Sequence, residues 1–195
     1  MVGGVMNRKW RLVILAVLLL TSTACGGQSQ NKDQVIKPTT VSSREGAYFV
    51  INEVGLGPNG FVALTNFTDV PAHLGGLYLC QGSKCFELPD DVVNPNDTVR
   101  IAVGDGVGLE KVVASHADLG ELRPADGEIA LSTGGKIDDP GQILFYLEWG
   151  STPHELTSMA IKAGLWMKGS YAPTSPTATR LFRVEETGLW LFDEP

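Results

Sequence analysis

Basic residues are scarce in this sequence, and beyond position 11 they form no stripe. There are 15 Lys and Arg against 22 Asp and Glu, a formal net charge of −7. Arg8, Lys9 and Arg11 fall in a terminal segment that has no acid, so the rest of the chain is more acidic still. Neutralising a phosphate backbone takes clustered cations, so no nucleic-acid partner is expected. A long apolar run is missing too: Leu12–Leu20 stops at nine residues, less than half of the ~20 that a membrane-spanning helix needs. The compact signatures of chemistry are absent as well. His73, His116 and His154 are the three histidines and share no motif. No H-E-x-x-H or C-x-x-C pair marks a zinc site, and no G-x-S-x-G elbow occurs. Gly134-Gly135-Lys136 lacks the first glycine and the hydroxyl of a phosphate-binding loop.

What is present at the start is a signal pattern. The basic residues come first, Leu12–Leu20 supplies the apolar stretch, and Thr21-Ser22-Thr23-Ala24 leads through small residues to Cys25. Ala24-Cys25-Gly26 resembles the end of a bacterial lipobox, with Ser22 where that motif prefers Leu. The resemblance implies cleavage after residue 24 and a diacylglycerol thioether on Cys25 as the only non-protein group expected. One acyl chain holds a protein to a bilayer only marginally, whereas two hold it stably. The expected location is therefore the extracytoplasmic face of a membrane, with the lipid as the anchor. Residues 25–45 follow as a polar tether, too poor in apolar side chains to offset the entropy of ordering.

From residue 46 to residue 195 the pattern changes to short apolar runs separated by Gly, Pro, Asn and Asp. Tyr48–Val54, Phe61–Phe67, Leu77–Leu79, Phe86–Leu88, Val99–Val103, Ile129–Leu131 and Ile143–Trp149 read as strands. Leu156–Ala163, stopped by Gly164, is the one short helical stretch. Many strands with turn signals and almost no helix predict an all-β sandwich. Cys80 and Cys85 bracket Gln81–Lys84, read as a four-residue hairpin loop. Across such a turn they are in bridging range, and an exported chain meets the oxidising conditions that keep a disulfide. Asn66 suits a strand end that shapes a turn, and Trp149 before Gly150 suits a buried indole with its N–H paired.

The order of these pieces resembles the lamin-tail domain. The resemblance is carried by Phe49-Val50-Ile51-Asn52-Glu53-Val54, by Phe61–Asp69 with its Leu64-Thr65-Asn66, and by Leu74-Gly75-Gly76-Leu77-Tyr78-Leu79 with Leu77 where an aromatic is usual. It continues through Asn94-Pro95-Asn96-Asp97-Thr98-Val99, with Asn96 where Gly is common, to Glu128–Leu131 and Phe145–Gly150. It covers about residues 47–150. It implies an immunoglobulin-like β-sandwich and, for bacterial members, a tethering or binding role.

The functional expectation is a membrane-anchored, non-catalytic binding or scaffolding module whose partner is a protein or an envelope polymer. The terminal run Leu189-Trp190-Leu191-Phe192 reads as a final strand covering the sandwich, or alternatively as a docking segment in which Leu189, Trp190 and Phe192 form the contact surface. Two other classes stay open. One is an envelope hydrolase built from scattered Asp, Glu and His, which a pocket joining a histidine to two acids would favour. The other is a small-ligand lipoprotein, which needs a concave apolar pocket. Asp90-Asp91 and Asp138-Asp139 are carboxylate pairs in loops, read as solvated rather than calcium-binding because the full ligand series is missing.

Overall fold

A computed structural model describes residues 47–195. Cys25, the signal segment and residues 25–46 lie outside the described residues. Alternating apolar positions dominate the strands, and the fold is an all-β sandwich, as the spacing predicts. One sheet holds β1 (Phe49–Gly55), β2 (Phe61–Asn66), β7 (Thr98–Ala102), β8 (Val112–Ala114), β11 (Arg180–Arg183) and β12 (Trp190–Asp193). Its order is β12-β11-β1-β2-β7-β8, antiparallel except between β7 and β8. The other holds β4 (Tyr78–Gln81), β5 (Lys84–Glu87), β9 (Gly127–Ser132) and β10 (Ile143–Trp149), in the order β10-β9-β4-β5. A short ribbon pairs β3 (Ala72–His73) with β6 (Val92–Val93).

Ile51, Val54, Val62, Leu64 and Ile101 of the first sheet and Leu79, Ile129, Leu131, Phe145 and Leu147 of the second are fully buried in one core. Burial of side chains of this size contributes roughly 1.5–3 kcal/mol each. Trp149 is buried with its Nε1 donating to the carbonyl of Arg123 at 2.9 Å. Gly127 makes room for it, since a Cβ there would lie 2.4 Å from the indole. Asn66 is buried and satisfied: its amide donates to the carbonyls of Val70 (2.8 Å) and Val93 (3.0 Å), and its oxygen accepts from the backbone and hydroxyl of Thr68.

Two expectations are corrected. The Cys80–Cys85 disulfide forms as predicted, between directly paired residues with Cα atoms 4.1 Å apart. However, Gln81 also pairs with Lys84, so the loop is Gly82-Ser83 alone. Gly82 at φ 57° provides the left-handed first position that a two-residue turn requires. Secondly, the C-terminal segment is a hairpin, β11 and β12, rather than one strand, because Gly188 at φ 68° reverses the chain between them. Glu148, on the face of β10 opposite Phe145 and Leu147, is buried too. Both faces of β9 and β10 are covered, the second by the segment around α1 (Thr157–Lys162), whose Trp166 meets Tyr146 edge-on at 5.3 Å.

Candidate functional site

The polar cleft begins with an irregularity in β1. Ile51 pairs with Leu64 but Glu53 pairs with Ala63, so Asn52 is an extra residue in the ladder. A bulge of this kind re-aims the next side chain. Strict alternation from Phe49 and Ile51 would point Glu53 into the core. Instead Val54 is the buried residue and Glu53 turns to the outer face of the six-stranded sheet.

Glu53 is met there from both sides. Arg180 on β11 donates to its Oε1 at 3.0 Å, and Arg100 on β7 donates to its Oε2 at 3.2 Å. Arg180 also donates through Nε and Nη2 to Asp193, its register partner on β12. Hydrogen bonds to Asp193 first, and then to Glu53, hold the Arg180 guanidinium protonated above its already high range. Arg100 donates its other arm to the carbonyl of Glu110. Gly55 makes room for Phe61: a Cβ there would come within 2.3 Å of its ring. The absence of that Cβ lets the Phe61 ring lie across β1, with the Arg100 guanidinium 5.6 Å from the ring centre. That spacing is within cation–π reach.

Glu53, Phe61, Arg100, Glu110, Arg180 and Asp193 line an open cleft of about 670 Å³. Its charged groups are held in place by one another, which lowers the ordering cost of receiving a partner. It is mixed in sign, with the Glu53 carboxylate set deepest between two guanidiniums, of which Arg180 is the more exposed.

A second polar cluster lies under α1. Glu128 and Glu148 are buried. Glu128 accepts from Tyr146 Oη at 2.8 Å and from the Leu156 amide. Glu148 Oε1 accepts from Thr157 Oγ1 at 2.6 Å and from the His154 amide, and lies 3.0 Å from His154 Nδ1. Loss of water around Glu128 raises its carboxyl pKa above the ordinary value, against the lowering effect of the Tyr146 and Leu156 hydrogen bonds. Burial likewise raises the Tyr146 phenol, helped by the Glu128 charge. This does join a histidine to two acids, but under a closed cover, and none of these residues lines the cleft. Its hydrogen bonds fasten the α1 segment to the sheet.

The remaining sequence-read positions fall apart in space. His73 pairs with exposed Asp90 at 3.3 Å, and Asp139 caps a 3-10 turn at Pro140–Gln142. Among the described residues no group of three His, Cys, Asp or Glu is placed to hold a metal ion, and no helix is long and apolar enough to cross a membrane. Trp190 is buried in the core, while Leu189 and Phe192 are half-buried. Leu191, which the sequence reading did not single out, is the exposed member of the run, at 44%. Glu53, Arg100 and Arg180 were missed because each is an ordinary charged residue within a strand. The one signal was Asn52-Glu53, two successive polar residues where alternation allows one. Comparison of the chain with protein-family models, with curated proteins and with solved structures finds no match.

Proposed function

We propose that this chain is a lipid-anchored, extracytoplasmic binding module of the lamin-tail type, an immunoglobulin-like sandwich that holds a protein or envelope polymer without transforming it. The signal pattern ending at Cys25, the polar tether and the ordered lamin-like pieces support the anchor and the family. The observation that carries the binding role is the cleft over Glu53, where four strands contribute ion-paired groups to one open surface. Charges fixed in this way select a partner of complementary pattern and guide its approach more than they add raw affinity.

The test uses the full chain in the cell that exports it. A photoreactive amino acid in place of Glu110, at the cleft rim, should yield one discrete cross-linked product. The same group in place of Glu186, in the β11–β12 turn, should not. Arg180→Ser, which removes the bridge between Glu53 and Asp193, should abolish that product while the protein remains folded and exported. Equal products from both positions, or a product indifferent to Arg180→Ser, would remove the cleft from the account.

A further inference from the structure

The opposite end of the same sheet carries a different surface. Beyond the last paired residues, Phe49 and Asn66, the Phe67 amide donates to the Tyr48 carbonyl at 3.2 Å. Both side chains continue the outward-facing set of β1 and β2, and both are exposed, Tyr48 at 54% and Phe67 at 46%. The Asn66 amide draws the loop at Val70 and the ribbon at Val93 to this same end. Val70 and Val92 are exposed there as well, at 48% and 54%. Large apolar side chains grouped at one end of a sandwich mark a contact surface more often than chance exposure does.

Two observations say what that surface meets. Tyr48 stands at the start of the described residues, so the preceding chain joins the sandwich at this end. The 22 residues Gly26–Ala47 separate it from Cys25. Whatever surface holds Cys25 is thus presented to this end at high effective concentration. Tyrosine, with an apolar ring and a polar tip, is suited to the boundary between lipid and water. The charged groups near the patch are Asp69, Asp90 beside His73, Asp91, and Asp97, which Lys111 pairs at 2.8 Å. That balance disfavours an anionic surface and tolerates a neutral one.

We propose that the end formed by Tyr48, Phe67, Val70 and Val92 is a membrane-contact face that sits on zwitterionic lipid. This rests on the anchored reading above and adds that the domain itself touches the bilayer. The cleft at the Phe61 end of the sheet then points away from the membrane, since Phe61 and Asn66 are opposite ends of β2.

The experiment uses the full-length lipidated protein in phosphatidylcholine vesicles, with a benzophenone amino acid in place of Tyr48, Phe67 or Val107. Val107 is 85% exposed and lies in the loop after β7, at the cleft end. After illumination, intact mass should show lipid adducts several-fold more abundant at 48 and 67 than at 107. They should diminish when phosphatidylglycerol is added. Equal adducts at all three positions on a lipidated protein would overturn the contact face and leave the anchor standing. Cross-links between two copies of the chain at 48 and 67 would overturn it in favour of self-association. If the same spectra show no lipid on Cys25, the anchored reading falls, and this one with it.

Discussion

Glu128 shows how one side chain can carry two opposed tendencies. Its carboxylate accepts three hydrogen bonds, yet the loss of water outweighs them and its pKa is raised above the ordinary 4.5. The folded state therefore holds the Glu128 proton at pH values where the unfolded chain has released it. Over the interval from about the unfolded pKa to the folded one, stability falls as pH rises. Glutamine keeps the shape, and its amide can donate to Tyr146 Oη while its oxygen accepts from the Leu156 amide. Glu128→Gln should thus gain on the wild type as pH is raised from 4.5 to neutrality, read as the difference between their urea midpoints. Parallel midpoints, or a wild type that gains on the variant with rising pH, would show that the hydrogen bonds prevail over burial.

At the scale of elements, the β4–β5 hairpin is held twice, by the tight Gly82-Ser83 turn and by the Cys80–Cys85 bridge. Closing a loop this short constrains the unfolded chain by about 2 kcal/mol. The Cys80→Ser, Cys85→Ser double variant should lose about that much in chemical denaturation while the strands still form, because Leu79 and the inner face of β9 do not depend on the bond. A loss near zero would show that the turn alone sets the hairpin. Much of this level was readable from local pattern: the main strands, the α1 stretch stopped at Gly164, the role of Asn66 and the buried Trp149. Local pattern could not show that α1 covers the second face of β9 and β10, since Thr157 and Trp166 reach Glu148 and Tyr146 only in three dimensions. Nor could it place Glu53, whose direction depends on one extra residue, Asn52, in the ladder with β2. The two-residue turn and the hairpin at Gly188 went unread for a simpler reason: both hinge on a glycine's φ rather than on its presence.

For the whole molecule, the first sheet has a polar cleft toward one end of its outer face and an aromatic patch at the other, next to the chain that leads back to Cys25. An anchored module with that polarity would rest one end on lipid and offer the other to a partner. Net charge fits this division, since a strongly acidic domain is repelled by anionic surfaces and its encounters are steered by fixed charge rather than by non-specific adhesion. The anchor is the premise on which both surfaces acquire their meaning. It is tested most directly by intact mass and detergent partitioning of the full-length protein beside Cys25→Ala, both expressed in a bacterium that processes lipoproteins. The account predicts that the wild type loses residues 1–24, gains the mass of a diacylglycerol with its acyl chains and follows the detergent phase, while the variant gains no lipid and stays out of it. A wild type and a variant that share one mass change and one phase would contradict it.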